Sequence, residues 1–247
     1  MLPGRGSDAY DVRSPRPVSK KIHTMRLALN GYTDLPHGTI AAVVTYLEMR
    51  EPAPLHADAR EGWSLVPLSG DARRYRDVFR RVGEPWLWFS RLIMTDDQLR
   101  SIVDHPAVEA IALHVEGRDI GLLELDFRRA GECELSFFGV APDSVGHGWG
   151  RALMNETIRR AWSRPIQRLW VHTCTLDHPR ALGFYMRSGF RPYKRAVEIA
   201  DDPRLKGYLP LAAAAHLPPI TAAEKARSGL RGGLPGWRGR RGRKAET

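Results

Sequence analysis

The chain has 247 residues, 43% of them apolar, which suffices for one large domain or for a domain with tails. No apolar run approaches the roughly 18 residues that a membrane span needs, and the N-terminal residues lack the apolar centre of a signal peptide. Two cysteines, Cys133 and Cys174, are too few for a disulfide framework or a cysteine-rich metal cluster. We therefore expect a cytoplasmic protein with no membrane partner and no metal.

The formal charge of +10 is concentrated at the two ends of the sequence. Residues 225–247 carry eight Lys or Arg against one Glu, residues 1–26 carry six against two Asp, and the remainder totals −1. Such polar stretches bury too little apolar area to offset the entropy lost on ordering. We therefore expect a flexible basic segment at 1–26 and a disordered basic tail at 221–247. Weak nucleic-acid contact through the tail is one interpretation, and a merely solvated tail is the alternative that we favour.

Between these ends, the pattern of apolar residues predicts a series of strands and helices. In chain order the predicted elements are a strand at Thr39–Met49, helices at Asp71–Arg81 and Thr95–Val103, and strands at Ala107–Val115, Ile120–Phe127 and Glu132–Val140. Asp71 and Thr95 are suitable capping residues for the two helices. Gly117, Arg118 and Asp119 form a turn-rich break between two of the strands and predict a hairpin.

A glycine-rich turn follows the last of these strands, in the stretch VAPDSVGHGWGRALM at residues 140–154. Gly146, Gly148 and Gly150 stand between the strand and an amphipathic helix that begins at about Trp149. A strand, a glycine turn and a helix N-terminus form an anion site, because the first helical N–H groups lack internal partners and carry partial positive charge. The spacing excludes a mononucleotide loop, which needs a Lys after its last glycine, and also the dinucleotide fingerprint.

The segment after this helix predicts one more strand, a helix and the start of a last strand. Residues Leu169–Thr175 are apolar and β-branched enough for a strand, and Asp177 or His178 is suitable for capping the helix that follows. Gly189 suits the left-handed end of that helix, and Phe190 begins the next strand.

Two motifs in these segments resemble the signatures of one enzyme family. The pattern V-x-P-x-x-x-G-x-G-x-G-x-x-L at residues 140–153 resembles the acetyl-coenzyme A loop of the GCN5-related N-acetyltransferases (GNAT), whose signature is Arg/Gln-x-x-Gly-x-Gly/Ala. Val145 stands where that family has its Arg or Gln. The string F-Y-x-x-x-G-F at residues 184–190 is similar to the family's second signature, and the resemblance extends over residues 39–199.

The resemblance implies a fold and an activity. The fold is an α/β (α+β) GNAT fold at residues 27–220, with a mixed, mostly antiparallel sheet that splays between its fourth and fifth strands and helices on both faces. The gap between Glu132–Val140 and Leu169–Thr175 is implied to hold the pantetheine arm of acetyl-coenzyme A (acetyl-CoA). The implied activity is direct N-acetyl transfer from this cosubstrate to an amine on a small molecule or a peptide. Neither the individual acceptor nor the oligomeric state follows from the sequence.

The resemblance also assigns residues to the coenzyme site. Those expected to bind acetyl-CoA lie at the end of one strand, in the glycine turn and before the later helix: Phe138, Gly139, Val140, Val145, Gly146, His147, Gly148, Trp149, Gly150, Arg151 and His178. His178 stands where the family commonly has an Asn that contacts the pantetheine arm. The departure at Val145 removes one side-chain contact but leaves the backbone N–H groups of the turn.

Acetyl transfer needs a base for the amine, since only about one part in 10³ of an alkyl amine with a pKa near 10.4 is neutral at pH 7. Glu134, eleven residues before Val145, matches the position of the family's carboxylate base. The alternative is that Glu134 is solvated or pairs with an arginine and that another group is the base. The other candidates are Glu132 on the same strand, Glu124 or Asp126 on the neighbouring strand, and a water.

Other side chains are candidates for roles around the reacting atoms. Tyr185 matches the tyrosine of the second signature, which implies that it protonates the departing thiolate; a packing role is the alternative. Trp86, Trp88 and Phe89 either line an acceptor pocket or pack in the core, and core packing is the better expectation for two of them. Arg91 is a candidate for selecting a carboxylate on the acceptor.

A non-enzymatic protein is the competing class. Such a protein would bind the coenzyme through the same fold and would attach to nucleic acid or to the ribosome through its basic tails. The near-neutral middle of the chain argues against a nucleic-acid-binding face on the domain itself.

Overall fold

The computed structural model describes residues 27–57 and 60–221. The predicted basic segment at 1–26 lies outside these residues, as does the predicted tail beyond residue 221. The described elements are β1 (Thr39–Met49), β2 (Trp63–Pro67), α1 (Ala72–Gly83), a 3-10 turn (Glu84–Trp86), α2 (Asp96–Val103), β3 (Val108–Val115), β4 (Arg118–Asp126), β5 (Glu132–Val140), a second 3-10 turn (Pro142–Ser144), α3 (Trp149–Trp162), β6 (Arg168–Cys174), α4 (Ala181–Arg187) and β7 (Arg191–Asp201). No helix among these residues is long and apolar enough to cross a bilayer.

The seven strands form one sheet in the order β2-β3-β4-β5-β6-β1-β7. All neighbouring strands are antiparallel except β5 and β6, which are parallel. On one face, α1 and α2 pack their apolar side chains against Ala110, Ala112 and Leu122. On the other face, α3 and α4 share a core with Leu135 and Leu169. The predicted mixed, mostly antiparallel sheet with helices on both faces is therefore confirmed.

Side-chain caps fix where the first two helices begin. The carboxylate of Asp71 accepts a hydrogen bond from the Arg74 N–H at 2.9 Å, which satisfies one of the N–H groups left open at the start of α1. Thr95 and Gln98 form a reciprocal capping box at α2, with bonds of 2.9 and 3.3 Å. Both predicted caps are confirmed.

Neither predicted cap of α4, Asp177 or His178, is the N-cap residue of that helix. This helix begins at Ala181, and the residue before it, Arg180, makes no side-chain capping bond. The Asp177 carboxylate accepts instead from the Thr173 hydroxyl at 2.7 Å and from the Cys174 N–H at 2.8 Å. Asp177 therefore braces the end of β6, because donors from that strand lie closer to it than the helix does.

The sequence patterns do not predict β2. Its five residues, WSLVP, are too few to show a clear alternation of apolar and polar side chains. The strand pairs only with β3, at the edge of the sheet, and ends at Pro67, which has no N–H to donate. Because β2 adds one strand, the predicted fourth and fifth strands are β5 and β6.

The first strand, β1, takes an inner position in the sheet between β6 and β7. Its residues Thr39–Glu48 pair with β7 and Val44–Met49 pair with β6, while Leu47 is fully buried beneath the α3–α4 layer. The chain then crosses to the opposite edge of the sheet, where β2 pairs with β3. We call the described residues of this passage, 50–57 and 60–62, the crossing segment.

Pairing between β5 and β6 is limited to one end of the two strands. Three consecutive pairs form, and the last joins Glu134 to Trp170. Two residues further on, Ser136 is an extra residue in β5, because its neighbours Leu135 and Phe137 pair with consecutive residues of β4. Such a bulge bends its strand. Beyond it β5 and β6 separate, so the predicted gap between them is confirmed.

Leu47→Ala should lower the free energy of unfolding by about 2–5 kcal/mol, because it empties a fully buried position on β1. Val43→Ala on the same strand is the control, since Val43 is 45% exposed and the change should cost under about 1 kcal/mol. Urea unfolding followed by tryptophan fluorescence measures both values. Equally small losses for the two variants would contradict the inner position of β1.

Candidate active site

The gap between β5 and β6 is covered on one face by α4. Phe184 and Tyr185 of α4 contact Phe138 of β5, with ring centroids 5.7 and 6.0 Å apart. Because pairing with β6 ends at Glu134, the edge of β5 beyond that residue faces the gap. One hydroxyl near the start of this edge, Ser136 Oγ, is buried and has no hydrogen-bond partner among the described residues. The gap is thus a slot with polar groups along one wall.

The turn between β5 and α3 presents a row of backbone N–H groups. Gly146 and Gly148 have φ values of +90° and +82°, a left-handed conformation that favours glycine. The N–H groups of Val145 and Arg151, on either side of the row, are used in backbone hydrogen bonds. Those of residues 146–150 meet no acceptor in the part of the chain that the structure describes. Five consecutive donors at a helix N-terminus suit an anion.

Arg60, from the crossing segment, lies against this turn. Its guanidinium donates to the His147 carbonyl at 3.1 Å and stands 5.3 Å from the centre of the Trp149 ring. A Cβ at Gly148 would overlap Arg60 Nη1, so the guanidinium would have to shift if another residue stood there. Sequence patterns do not predict this contact, because 87 residues separate Arg60 from His147 and neither signature includes Arg60.

Glu134 is a buried carboxylate at the last paired position of β5. Its side chain lies on the sheet face opposite Leu135, which belongs to the core beneath α3 and α4. Glu134 is 5% exposed, and its Oε1 lies 3.8 Å from Nδ1 of the partly exposed His172 on β6. The rings of Tyr46 and Trp170 border that histidine at 5.6 and 6.3 Å. The structure therefore places Glu134 beside the opening of the gap, with an imidazole as its neighbour.

Glu124, a candidate base on β4, is instead the centre of a buried network. Its Oε1 accepts from Arg91 Nη2 at 2.6 Å, and its Oε2 accepts from the Tyr75 hydroxyl. Burial, and then the charge of Glu124, raise the pKa of Tyr75 well above its ordinary value, which keeps that phenol a donor. Both oxygens of Glu124 are therefore engaged. The prediction that Arg91 selects an acceptor carboxylate is wrong, because its side chain is buried and bound to Glu124.

The other two candidate carboxylates also hold arginines. Asp126 accepts from Arg128 through both oxygens at 2.6–3.0 Å. Glu132 lies 3.5 Å from Arg129 and 3.5 Å from Arg168. Of the four carboxylates, Glu134 is the one that stands where the paired region ends and the gap begins, so it is the best placed candidate base.

Tyr185 is buried in the α4 layer and points its ring into an aromatic group. It packs edge-on against Phe138, Phe184 and Phe190. Burial, and then the charge of Asp177, raise the pKa of its phenol well above the ordinary value. The position next to the gap fits the role implied by the second signature, and the ring contacts show that Tyr185 also packs.

Comparison with known proteins decides the family. Residues 75–190 match the profile of the acetyltransferase (GNAT) family. Residues 75–190 form a GNAT acetyltransferase domain. The matched span contains the glycine turn, Glu134 and Tyr185, so the resemblance predicted from the two motifs is confirmed. No curated protein matches the sequence.

Several solved structures are similar to this chain. A protein of the GNAT family from Novosphingobium aromaticivorans is 17% identical, with a TM-score of 0.48, and the alignment covers 67% of this chain and 67% of that chain. A GCN5-related N-acetyltransferase from Sphaerobacter thermophilus is 18% identical, with a TM-score of 0.49, over 65% of this chain and 52% of that chain. An acetyltransferase from Thermus thermophilus is 21% identical, with a TM-score of 0.42, over 57% of this chain and 97% of that chain. This chain thus spans about half the length of the second of these proteins.

His178 of the GNAT domain precedes α4 and contacts an aromatic residue from the segment before α2. Its Nδ1 accepts from the Arg180 N–H at 3.1 Å, and burial followed by the charge of Arg180 lowers its pKa. The ring is therefore neutral near pH 7, and because Nδ1 is the acceptor, its proton is assigned to Nε2. Trp86 stands 5.0 Å from this ring and 5.9 Å from that of His216. His178 thus has one donor to offer a ligand.

The other two aromatic residues before α2 pack in the interior of the GNAT domain. Trp88 lies 5.2 Å from Phe137 between ring centres and donates from Nε1 to Asp177 at 3.2 Å. Phe89 packs against a small apolar cluster that includes Leu209. The expectation of core packing for two of the three residues is confirmed.

Some residues of the predicted coenzyme site have packing contacts of their own. Gly139 has no room for a side chain, because Val82 of α1 lies against it. Gly150 faces α4 at ordinary contact distance. Arg151 donates to Ser188 Oγ at 3.0 Å, which links the first turn of α3 to the end of α4. These contacts hold the backbone of the predicted coenzyme site against α1 and α4.

The two cysteines of the domain are free thiols and lie in protected positions. Burial is the main cause of a raised pKa at Cys133, and burial followed by the charge of Asp177 raises the pKa of Cys174 to about 12. Both thiols are therefore protonated at neutral pH. Within the described ranges, no three His, Cys, Asp or Glu side chains are grouped so as to hold a metal ion.

Proposed function

We propose that this GNAT domain moves the acetyl group of acetyl-CoA directly to a primary amine on a small molecule or a peptide. One observation carries the proposal: Glu134 and Tyr185 border the same gap between β5 and β6. The family supports acetyl transfer from an acyl-coenzyme A. The amine acceptor and the direct route are inferred from the chemistry of the residues at the gap.

The domain offers groups that fit acetyl-CoA, which supplies the acetyl group as a thioester. The open N–H groups of residues 146–150 suit its diphosphate. We assign the pantetheine arm to the gap along Phe138–Val140, where pairing of β5 with β6 has ended. The buried Ser136 hydroxyl, which has no partner among the described residues, and the neutral ring of His178 are polar side chains that suit amides.

Glu134 is the proposed base. An alkyl ammonium must lose a proton before its nitrogen can attack, and only about one part in 10³ is neutral at pH 7. A carboxylate that is 5% exposed and stands at the opening of the gap is placed to take that proton. His172, 3.8 Å from Oε1 and partly exposed, is the neighbour through which we route the proton to solvent.

Tyr185 is the proposed donor to the leaving sulfur. Because its pKa is raised, its phenol keeps its proton at neutral and mildly alkaline pH. The raised pKa of Tyr185 also opposes complete transfer of its proton to the leaving sulfur. A free thiol has a pKa near 8.5 and is therefore the stronger acid. We therefore assign Tyr185 a hydrogen bond that strengthens as negative charge develops on the sulfur, in place of the full protonation implied by the family resemblance.

The cysteines support a direct route. A covalent acyl-enzyme on cysteine requires a thiolate as nucleophile. Cys133 is fully buried, and the raised pKa of both cysteines keeps them protonated at neutral pH. The amine itself is then the nucleophile that attacks the thioester.

Gly148→Asp should abolish binding of coenzyme A, because its side chain meets Arg60 and brings negative charge to the diphosphate position. Gly117→Asp is the matched control, since Gly117 has a φ of +80° and open space around it in the β3–β4 hairpin. Calorimetry with coenzyme A, paired with a thiol-release assay across amines, measures the outcome. A wild-type chain without any coenzyme affinity would end the proposal, and equal loss in both variants would indicate misfolding.

Glu134→Gln should slow acetyl transfer by about 10²–10⁴-fold at pH 7. The deficit should shrink as the pH approaches the amine pKa near 10.4, because the amine is then neutral without a base. Glu132→Gln is the control on the same strand, since Glu132 already pairs with Arg168. The measurement is the pH–rate profile of thiol release. A deficit that does not change with pH would argue against the base role.

Tyr185→Phe should lower turnover by about 10–100-fold while coenzyme affinity stays nearly constant, because the ring packing is kept and one charge-assisted hydrogen bond is lost. Tyr193→Phe, at a side chain 45% exposed on β7, is the control. The raised pKa of Tyr185 also means that its phenol is protonated below that raised value, so wild-type turnover should not fall up to about pH 10. Equal losses of turnover and affinity would indicate a packing role only.

A further inference from the structure

The crossing segment is fastened to the GNAT domain on both sides of Arg60. Before it, the His56 N–H donates to Asn155 Oδ1 at 3.2 Å and Asn155 Nδ2 donates to the His56 carbonyl at 2.8 Å. After it, Trp63 Nε1 donates to the Arg60 carbonyl at 3.0 Å. Asn155 is a buried residue of α3, and Trp63 begins β2. His56 is therefore bound to the same helix whose N-terminus follows the glycine turn, and the Arg60 carbonyl is held by the first residue of β2.

The side chain of Arg60 brings a second set of donors to the turn. Its Nη1 reaches the His147 carbonyl, and its guanidinium stands over the Trp149 ring. An arginine is charged at every accessible pH and carries five N–H donors in a planar fork that matches phosphate geometry. Beside it lie the five open N–H groups of residues 146–150. Two sets of donors thus meet at one place.

The start of α3 is a region of positive charge. The N-terminus of α3 carries partial positive charge, which favours the binding of a negative group there. The nearest acidic residue in the turn, Asp143, pairs with Arg118 at 3.0 Å. A further cation, Arg151, has its pKa lowered by burial and then by the charge of Arg187. Positive groups therefore crowd the start of α3.

We propose that Arg60 is a coenzyme-binding residue whose guanidinium binds the diphosphate of acetyl-CoA at the glycine turn. It supplies from the crossing segment the polar side chain that Val145 does not supply. This inference rests on the proposed function, since it takes acetyl-CoA as the ligand of the turn. A guanidinium can hold two phosphate oxygens at once, in addition to the backbone donors.

Calorimetry on the full chain with two ligands tests the proposal. Coenzyme A carries a diphosphate and a 3′-phosphate, and dephospho-coenzyme A keeps only the diphosphate. Arg60→Ala should lower the affinity for both ligands by the same factor of about 10–100, the usual effect of losing a charge-assisted contact. Arg195→Ala, which removes an exposed arginine from β7, should leave both affinities unchanged. An unchanged melting temperature for Arg60→Ala shows that its fold is intact.

A rescue variant provides a second readout. Adding Val145→Arg to Arg60→Ala places a guanidinium at the family's usual position, so the double variant should regain part of the lost affinity. If Arg60→Ala bound the two ligands as tightly as the wild-type chain, or more tightly, the proposal would be overturned. A loss seen with coenzyme A but not with dephospho-coenzyme A would assign Arg60 to the 3′-phosphate and overturn the diphosphate assignment. A wild-type chain that binds neither ligand would refute the proposed function, and this inference with it.

Discussion

The short parallel pairing of β5 with β6 is the constraint on which the candidate site depends. Three residue pairs join the strands, and the bulge at Ser136 then bends β5 away from its neighbour. If the pairing continued, the backbone groups of the two strands would satisfy each other and leave no slot. Because it stops at Glu134, a carboxylate stands at the opening, α4 covers one face with Tyr185, and the glycine turn follows the far end of β5.

The separation of the two strands is possible because each is held by another neighbour. β5 pairs with β4 from Glu134 to Val140, and β6 pairs with β1 along Leu169–Cys174. The strand that braces β6 comes from the N-terminal part of the chain, and the crossing segment after it carries Arg60 to the glycine turn. The N-terminal part of the domain therefore supports a wall of the gap and also reaches the glycine turn. This arrangement explains why a side chain outside both signatures enters the site.

Sequence reasoning predicted the parts of the site that depend on near neighbours in the chain. The glycine turn, the start of α3 and the place of Tyr185 on α4 follow from local spacing. Long-range contacts carry no such pattern: Arg60 meets His147 across 87 residues, and nothing in the sequence of β1 specifies its two partner strands. The cap predicted at Asp177 is wrong for a local reason. Its carboxylate accepts from Thr173 and Cys174 at the end of β6, and spacing alone does not decide between these donors and the N–H groups of the helix that follows.

Amide hydrogen exchange with and without coenzyme A is the measurement that tests the central claim most directly. If the gap and the glycine turn bind the coenzyme, exchange should slow in residues 135–151 and 171–178, because open N–H groups acquire acceptors and the separated strands lose access to water. Exchange in β3, which is paired on both sides, should stay unchanged. Protection at another surface with no change at residues 146–150 would contradict the assignment of this gap and turn as the coenzyme site.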